Sequence, residues 1–346
     1  MAQPADLPPL IGQSAAFLAL SEEISRLATL DRSVLVIGER GTGKELVAAR
    51  LHFLSPRWDG PYAKLNCAAL AEGLLESELF GHEAGAFTGA TRRRAGRFEL
   101  ANSGSLFLDE IANATMSVQE KILRTVEYGE FERVGGNATI GVDVRVIGAT
   151  NIDLPSAAAA GRFRHDLLDR LSAAVVTIPP LRARIEDILL LANHFGRALA
   201  QEVGWTAFPG FSRSALKALR SYRWPGNVRE LKNVVERAVF YAEPDQTVDT
   251  IVFDPFESPF RPATVVHATN DEAAPKTASD EPPSTSEDAP HNLRESVAAY
   301  EKRLLERALA AHRHNQRATA AALGLTYNQL RNDLRKHALL GSASSA

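Results

Sequence analysis

The sequence predicts an α/β fold in which a parallel sheet is covered by helices, followed by a small helical subdomain and a C-terminal all-α module. Short apolar runs alternate with amphipathic helical stretches as far as about residue 180. Only helical patterns remain from about residue 185 to 242, and helical periodicity returns near residue 293 after a polar interval. Strands that are buried on both faces by helices are short and continuously apolar, as these runs are.

Five apolar runs are predicted to form the strands of the sheet. Each is short enough for a strand and is separated from the next by a helical pattern. The predicted strands are residues 33–37, 62–66, 105–109, 144–150 and 174–178.

The composition is that of an ordinary globular chain. Its 346 residues suggest two domains or one large domain with an appendage. The formal net charge of −3 argues against coating of nucleic acid by the whole molecule, but not against a small basic module. The single cysteine, Cys67, excludes an intramolecular disulfide and suits a reducing compartment. No apolar run approaches the roughly 20 residues of a membrane span, so we expect a cytoplasmic protein without direct membrane insertion.

Changes in composition suggest four segments. We expect an α/β subdomain at residues 1–180, a helical lid subdomain at 181–242, a flexible linker at 243–291 and a helix-turn-helix domain at 292–341. Residues 271–289 include six acidic side chains against one lysine, with several Pro, Ser and Thr. Such a stretch buries too little apolar surface to offset its ordering entropy, which indicates a tether.

The first predicted strand leads into a glycine-rich segment that predicts a phosphate-binding loop. Glycines let backbone N–H groups converge on phosphate oxygens, and the following helix adds positive potential at its N-terminus. We expect Lys44 to bind the outer phosphates of ATP. Glu45 stands where Ser or Thr normally contacts Mg²⁺, so the loop alone leaves a chance turn as an alternative. The segment comprises Gly38, Glu39, Arg40, Gly41, Thr42, Gly43, Lys44 and Glu45.

Carboxylates at the end of the third predicted strand support the nucleotide site. In parallel sheets, ligands bind at the carboxyl ends of the strands, where Asp109 and Glu110 stand. Asp109 is predicted to hold Mg²⁺, and Glu110 to orient and deprotonate the attacking water. An acidic cap for the next helix is the alternative, and the upstream phosphate loop favours the catalytic interpretation.

Polar residues also end two other predicted strands. Thr150 and Asn151 follow strand 144–150, where they either sense the γ-phosphate or cap a turn. Asn66 ends strand 62–66 and is expected to reach Glu110 if the two strands are neighbours.

Residues 78–90, with the sequence ELFGHEAGAFTGA, resemble the signature of the AAA+ domain of sigma-54-dependent enhancer-binding proteins. The resemblance extends from about residue 10 to 242. It implies an AAA+ ATPase that assembles as a ring, in this family a hexamer, and remodels the sigma-54 RNA polymerase closed complex to an open complex. A glycine-rich surface turn with an exposed Phe is the alternative. The residues assigned to sigma-54 contact are Gly85, Ala86, Phe87, Thr88, Gly89 and Ala90, with Phe87 and Thr88 at the loop tip.

The resemblance also implies arginine fingers. Residues 163–171 look like the family segment whose arginines reach into the ATP site of a neighbouring subunit. Arg164 and Arg170 would stabilise transition-state charge there. A solvated helix face with Arg–Asp pairs is the alternative.

Further motifs of the family surround the nucleotide. Residues 224–231 match the sensor II motif, which implies Arg229 near the γ-phosphate and Val228 near the adenine. Ile11 and Gly12 belong to a segment that resembles the one closing over the base.

Two elements are implied to transmit the nucleotide signal. Residues 132–135 look like a second surface loop that moves with the first. Asn66 matches the residue that couples Glu110 to both loops.

A regulator acting in trans is expected. The chain begins close to the ATPase-like region, with no receiver or ligand-sensing domain ahead of it. For the phage-shock activators of this family, the controlling partner is the inhibitor PspA. Trp58, in the polar turn 55–61, is a candidate contact for such an inhibitor, and a partly buried loop anchor fits the residue equally well.

The C-terminal segment predicts a basic helix-turn-helix. Helix 315–323, a turn at 324–325 and a helix from 327 to 337 contain, from residue 312, five Arg or Lys against one Asp. Thr326 and Gln329 form a capping box. The segment resembles the Fis-type module that binds enhancer DNA, and a helical hairpin for dimerisation is the alternative. The predicted DNA-binding residues are Arg317, Thr326, Tyr327, Asn328, Arg331 and Arg335, with Lys336 at a phosphate.

The sequence is compatible with three functions. The first is an ATP-driven activator of sigma-54 polymerase, expected to serve phage-shock or envelope-stress genes. The second is a DNA-binding regulator whose ATPase-like body does not drive transcription. The third is another kind of AAA+ machine, such as a chelatase subunit or loader. The intact signature at residues 85–90 favours the first.

Overall fold

A computed structural model describes residues 9–244, 246–257, 293–312, 315–325, 327–337 and 339. The chain forms two compact units, one within residues 1–262 and the other within residues 263–346.

A five-stranded sheet is the centre of the first unit. Its strand order is β2-β3-β6-β1-β7, and every neighbouring pair is parallel. The burial of β1, β3 and β6 along their length explains why their sequences are apolar without alternation. The α/β fold class is therefore confirmed. The strands are β1 Val34–Ile37, β2 Tyr62–Asn66, β3 Ser105–Asp109, β4 Glu130–Glu132, β5 Thr139–Gly141, β6 Arg145–Thr150 and β7 Val175–Thr177.

Helices cover the sheet, and after the last strand the described residues of this unit form helices without further strands of the sheet. The hydroxyl of Ser14 caps the first helix, and that helix buries Phe17, Leu20, Ile24 and Ala28 at helical spacing. The helices are α1 Ala15–Ala28, α2 Lys44–Phe53, α3 Glu72–Phe80, α4 Arg97–Leu100, α5 Met116–Tyr128, α6 Leu154–Ala159, α7 His165–Leu171, α8 Ile185–Glu202, α9 Arg213–Ser221 and α10 Asn227–Phe240.

Strands β4 and β5 form an antiparallel hairpin outside the main sheet. This hairpin is not among the strands expected from the sequence. Each strand has three residues, and only Phe131 of β4 is buried, so neither strand has an apolar run that would mark it. Phe131 packs against Phe98 beneath the hairpin, with ring centroids 6.0 Å apart.

Helices α8, α9 and α10 form the helical subdomain. Its core is built around Trp224, which is fully buried and donates its indole N–H to the carbonyl of Leu219 at 2.9 Å. Leu191 of α8 and Leu231 of α10 lie in the same cluster.

The start of the predicted linker belongs to this subdomain, so the expectation of a flexible linker from residue 243 is wrong for its first part. Val248 is buried, and Phe253 stacks on Tyr222 with ring centroids 4.2 Å apart. The apolar residues of this stretch thus extend the core of the helical subdomain. The acidic stretch at 271–289 lies outside the described residues.

The second unit contains α11 Leu293–Ala311, α12 Gln316–Ala322 and α13 Tyr327–Lys336. Leu305 and Leu309 of α11 pack with Leu330 and Leu334 of α13. Gly324, in the turn between the last two helices, adopts φ 67°, a left-handed conformation that favours glycine. No helix in the portion of the chain that the structure describes is long and apolar enough to cross a membrane.

A buried guanidinium fixes two helix ends to the sheet. Arg145, at the start of β6, is 3% exposed. It donates to the carbonyl oxygens of Leu27 and Ala28 at the end of α1, at 3.0 and 3.1 Å. It also donates to Leu51 in α2 and to Arg32, at 3.3 and 3.0 Å. Helix ends and loops of this kind have few backbone donors for their carbonyls, although the carbonyl of Leu27 also accepts the N–H of Leu30 at 3.2 Å.

The substitution Arg145→Met is expected to lower the free energy of unfolding by about 3 kcal/mol, because it leaves several buried carbonyls without donors. Urea denaturation followed by circular dichroism measures the loss. Arg124→Met is the control: this arginine is exposed on α5 and forms an exposed ion pair with Glu120 one turn away, so a change below about 0.5 kcal/mol is expected. Equal effects of the two substitutions would contradict the anchoring role of Arg145.

Candidate functional site

The glycine-rich loop between β1 and α2 has the backbone of a phosphate cradle. Gly41 and Gly43 adopt φ 76° and 100°, and Gly43 directly precedes α2. The Thr42 hydroxyl donates to the carbonyl of Glu39 at 2.8 Å, which closes the loop on itself. The N–H groups at the start of α2 can therefore receive an anion.

Lys44 lies within this loop. Its ammonium is 3.0 Å from the carbonyl of Gly38 and 4.0 Å from Glu110 Oε1. Burial lowers the pKa of Lys44, and the charge of Glu110 opposes that shift. A buried ammonium next to a helix N-terminus is a binding group for the outer phosphates of a nucleotide.

Glu45 does not face the loop. Its carboxylate pairs with Lys64 of β2 at 2.8 Å, and both side chains are at least half exposed. The loop thus has no side-chain hydroxyl at this position, and Glu45 contributes through its backbone and its pair with the neighbouring strand.

The carboxylates at the end of β3 differ in their surroundings. Asn66 lies opposite Asp109 in the parallel register of β2 and β3, and its amide donates to Asp109 Oδ2 at 3.1 Å. Glu110 adopts a left-handed φ of 51°, and its Oε2 atom is buried with no hydrogen-bond partner among the described residues. The expectation that Asn66 reaches Glu110 is therefore wrong, since the backbone turn directs Glu110 towards Lys44.

Cys67 adjoins these carboxylates. Its N–H donates to the carbonyl of Asp109 at 2.9 Å, which extends the β2–β3 pairing by one residue. Burial raises the pKa of the Cys67 thiol to about 12, and the nearby charges of Asp109 and Glu110 add to the effect. The thiol therefore stays protonated at neutral pH.

Thr150 and Asn151 end β6 beside the phosphate loop. The carbonyl of Thr150 accepts the N–H of Gly38 at 3.2 Å, and its hydroxyl accepts the N–H of Ile152 at 3.0 Å. Asn151 Oδ1 is buried and has no hydrogen-bond partner in the described part of the chain. The edge of the sheet thus brings together Lys44, Asp109, Glu110 and Asn151, as the strand-end rule predicts.

A cavity of about 140 Å³ adjoins the loop on the side of the helical subdomain. Ile11, Leu46 and Val228 provide apolar walls, and Thr42 and Gly43 connect the cavity to the phosphate cradle. Gly12 packs so closely on the ring of Phe17 that a Cβ there would collide with it. The cavity suits a planar apolar ring attached to a phosphate group.

The sensor II residues contact the loop through their backbone. The N–H of Arg229 donates to the carbonyl of Gly41 at 3.2 Å. A Cβ at Gly41 would collide with the carbonyl of Gly226, so only glycine permits this approach. The Arg229 side chain is exposed beside the loop.

The segment of residues 85–90 is a tight turn on the surface. Gly85 and Gly89 adopt φ 84° and 101°, and the N–H of Gly85 donates to the carbonyl of Ala90 at 2.7 Å. Phe87 and Thr88 are exposed, and the Phe87 ring meets His82 edge-on at 5.0 Å. The tip therefore presents an aromatic ring and a hydroxyl to solvent.

A second loop, residues 132–135, is joined to the base of the first. The N–H of Glu83 donates to the carbonyl of Val134 at 3.1 Å, and Gly135 lies against Ala86. Arg133 is 6% exposed and pairs with Glu83 at 2.9 Å and with Glu99 of α4. Because these contacts are buried and charged, the two loops form one structural piece.

Arg170 lies apart from the phosphate loop of its own chain. Arg170 pairs with Glu127 and lines a cavity with Ser33, which precedes β1, and with Val144, which precedes β6. The phosphate loop follows the other end of β1. Arg164 directly precedes α7 and pairs with Asp166 at 2.8 Å.

Trp58 is 53% exposed in a turn that its neighbour holds in place. Arg57 pairs with Asp31 at 2.7 Å and with Asp143 at 2.8 Å. The turn thus presents a half-exposed indole on a base held by ion pairs, which fits both the inhibitor contact and the partly buried anchor.

The predicted DNA-contacting residues of the second unit are mostly exposed. Tyr327, Arg331 and Arg335 are exposed on α13, and Arg317 is exposed near the start of α12. Lys336 pairs with Glu301 of α11 at 2.8 Å, so part of its charge is neutralised within the unit. Thr326 and the side chain of Asn328 lie outside the described residues.

Comparison with protein families accounts for three parts of the chain. Residues 10–177 match the sigma-54 interaction domain, residues 182–263 the AAA+ ATPase lid domain, and residues 296–337 the Fis family of bacterial regulatory proteins. The chain is 52% identical to the Psp operon transcriptional activator of Escherichia coli over 329 residues, 95% of this chain and 97% of that protein.

The chain belongs to the sigma-54-dependent transcriptional activators. It has their nucleotide-binding AAA+ ATPase domain, their lid and their DNA-binding helix-turn-helix. It is 44% identical to the anaerobic nitric oxide reductase regulator NorR of Citrobacter koseri and to the C4-dicarboxylate transport regulator DctD of Pseudomonas aeruginosa. The alignments cover 91% and 95% of this chain, and the chain spans 60% and 64% of those longer regulators.

Solved structures of NtrX give the same architecture. Crystal structures of NtrX from Brucella abortus in complex with ADP and with ATP match at TM-scores of 0.66 and 0.64, with 32% identity. They cover 95% of this chain, which spans 70% and 69% of the NtrX chains.

Residues of the lid that the sequence analysis did not select tie this activator's lid to its phosphate loop. Asn227 is fully buried, and its amide donates to Glu39 Oε2 and to the carbonyl of Arg40, both at 3.0 Å. Its Oδ1 accepts the N–H of Leu181 at 2.8 Å. Hydrogen bonds from Arg182 and from Asn227 lower the pKa of Glu39 to about 2.

Asp187 and Arg184 hold the segment that precedes α1. The fully buried Asp187 carboxylate accepts the N–H groups of Gln13 and Ser14 at 2.7 and 2.8 Å, and the Ser14 hydroxyl at 2.8 Å. Arg184 is 3% exposed and lies over the Phe17 ring at 5.8 Å. It also lines the cavity beside the phosphate loop, here called the base cavity. Neither residue had a signal in the sequence, because charged residues at the start of a helix are usually solvated.

The substitution Asp187→Ala is expected to weaken nucleotide binding about tenfold, because the segment from Leu10 to Ser14 loses the acceptor that fixes it beside the base cavity. Titration with a fluorescent ATP analogue measures the dissociation constant. Glu186→Ala is the matched control, since Glu186 is the exposed neighbour on α8. An unchanged constant for Asp187→Ala, with the fold intact by circular dichroism, would rule out this role.

Proposed function

We propose that this activator uses ATP hydrolysis to remodel the sigma-54 RNA polymerase closed complex into an open complex. The observation that carries the proposal is the hydrogen bond from Asn66 to Asp109. It joins the end of β3, beside the phosphate loop, to the strand that leads through α3 into the exposed loop of residues 85–90. A change at the nucleotide therefore has a short structural path to the loop.

Glu110 is proposed to activate the attacking water. Its Oε2 is buried and has no hydrogen-bond partner among the residues that the structure describes, while Oε1 lies 4.0 Å from Lys44. A carboxylate with one free lone-pair oxygen at a phosphate site is fitted to accept a proton from water. Lys44 would neutralise the phosphate oxygens at the same edge of the sheet.

The surrounding donors fit Mg²⁺ held together with ATP. Asp109 supplies carboxylate oxygens at the strand end, and the described residues contain no cluster of three or more His, Cys, Asp or Glu that forms an all-protein metal site. Such a setting is typical of Mg²⁺, which binds through one or two carboxylates and substrate phosphates. When bound, Mg²⁺ neutralises charge on the phosphates.

The path from Asn66 to the loop passes through buried contacts. Leu75 and Leu79 of α3 are buried in the core of the sheet subdomain, so the helix is fixed along its length. Arg133 and Glu83 then join the two loops. A displacement at Asp109 would move both loops together, because packed elements respond as rigid pieces.

Arg164 and Arg170 are proposed to act on the ATP of a neighbouring subunit. Strand β6, beside β1, extends for six residues, about 20 Å, and Arg170 lies beyond its first end while the phosphate loop lies near its last. An arginine at that distance cannot serve its own site. A ring, expected to be a hexamer, supplies the missing partner.

The exposed helices of the Fis-type unit are proposed to place this ring at enhancer DNA. Control of phage-shock genes by an inhibitor resembling PspA is proposed from the 52% identity to the Psp operon activator. Trp58 is a suitable contact for the inhibitor, because it is a half-exposed indole on a turn held by the ion pairs of Arg57.

The direct test of the proposed function is the ATP-dependent isomerisation of a sigma-54 closed promoter complex by the purified protein. Open-complex formation that requires ATP hydrolysis is the expected result. Its absence with intact wild-type protein would refute the proposal, whereas ATP turnover without isomerisation would favour a regulator that does not drive transcription.

The substitution Glu110→Gln is expected to leave ATP binding within about threefold and to reduce ATP turnover by at least 100-fold, because the amide cannot accept the proton from water. Turnover is measured as phosphate release and binding as above. Glu45→Gln, at the exposed Lys64 pair, is the control and should retain most of its turnover. Normal hydrolysis by Glu110→Gln would remove this residue from the catalytic role.

The substitution Thr88→Ala is expected to abolish open-complex formation while ATP turnover stays measurable, because Thr88 is at the exposed tip and touches no part of the nucleotide site. Thr91→Ala, just beyond the turn, is the comparison and should retain activation. Full activation by Thr88→Ala would contradict the proposed role of the tip.

A further inference from the structure

Helix α9 of the lid carries its positive charges on one exposed face. Arg213, Lys217 and Arg220 lie at positions i, i+4 and i+7, within one stripe of the helix. All three are exposed, while Ala215 and Leu219 on the opposite face are buried in the lid core. The helix contains no acidic residue.

These three cations lack ion-pair partners among the residues that the structure describes. Two exposed basic residues on other helices of the same unit do have such partners: Arg124 pairs with Glu120 and Lys232 with Glu236, each one turn away. At the start of α9, the carboxylate of Asp249 is already engaged by the hydroxyls of Ser212 and Ser214.

The arrangement is unfavourable for the isolated helix. Arg213 and Lys217, four residues apart, repel each other by a few tenths of a kcal/mol. Arg213 is also the first residue of α9, where the helix dipole favours negative charge. Unfavourable placements of charge on one face are expected where a surface binds a ligand. A bound anion would offset both the repulsion between Arg213 and Lys217 and the unfavourable interaction of Arg213 with the helix dipole.

The geometry of the face fits a row of phosphates. From Arg213 to Arg220 the helix rises by about 10 Å, and a DNA strand places one phosphate per about 3.4 Å of axis. The three cations line a shallow groove of about 440 Å³ together with Leu216 and Ser221. Guanidinium groups suit phosphate oxygens because they donate in a planar fork.

We propose that this face of α9 binds the phosphate backbone of double-stranded DNA. DNA is the polyanion that this chain encounters, since residues 296–337 form its Fis-type DNA-binding unit. The contact is independent of base sequence, because phosphates carry no sequence information. The AAA+ part of the activator thereby adds affinity for DNA to that of the helix-turn-helix.

The test compares two full-length variants that lose the same charge. One carries Arg213→Gln, Lys217→Gln and Arg220→Gln; the control carries Arg26→Gln, Arg50→Gln and Lys232→Gln, at exposed positions of other helices. Binding to a duplex without an operator is measured between about 50 and 200 mM salt. The α9 variant is expected to bind about tenfold more weakly at the lower salt, and the slope of log affinity against log salt should fall by about 2 to 3.

The control variant should bind within about twofold of wild type, with an unchanged slope. Equal losses in both variants would overturn the proposal, because they would reflect net charge alone. No loss in the α9 variant would overturn it as well. ATP turnover of each variant verifies that the fold is intact, and because no polymerase is present, the result is separate from that of the proposed function.

A cross-linking experiment identifies what the face touches. Cys67 is buried and is the only cysteine, so Ser221→Cys provides the single accessible thiol for a photoactivatable cross-linker. Cross-linking of the labelled full-length protein to duplex DNA is the expected result. Cross-linking instead to the acidic residues 271–289 of the chain, in the presence of DNA, would overturn the proposal and assign the face to an acidic peptide.

Discussion

The parallel register of β2 and β3 is the constraint on which the functional part of the molecule depends. It places Asn66 opposite Asp109, and the two side chains share a hydrogen bond at the edge where the phosphate loop also ends. A slip of one residue would turn every side chain of β2 to the other face of the sheet. The start of α3 would then no longer be held in its present position relative to the nucleotide site.

A second set of contacts surrounds the site from the lid. Asn227 and Arg182 hold Glu39 in the phosphate loop, and Asp187 holds the segment before α1. The nucleotide site is therefore made of pieces separated by more than 140 residues in the chain. Its cavity exists only when sheet and lid are packed together, which makes binding sensitive to the packing of the lid.

The fold was readable from the sequence where local physics decides it. Apolar strands buried on both faces, and the glycines of the phosphate loop, are determined by neighbours in the chain, so their predictions agree with the structure. Side-chain contacts between residues far apart in the chain could not be predicted from the sequence. Asn66 contacts Asp109 rather than Glu110, and Lys336 pairs with Glu301. Asp187 had no signal, because its burial arises from a segment 173 residues away.

The close approach of Gly41 to Gly226 has a consequence for engineering. The two backbones meet without any intervening side chain, and Asn227 adds hydrogen bonds across the same contact. The contact surfaces of the lid and the phosphate loop are therefore complementary to each other. A chimera that exchanges the lid with that of another activator would have to exchange residues 38–44 with it, since a mismatch at this seam would distort the nucleotide pocket before any partner binds.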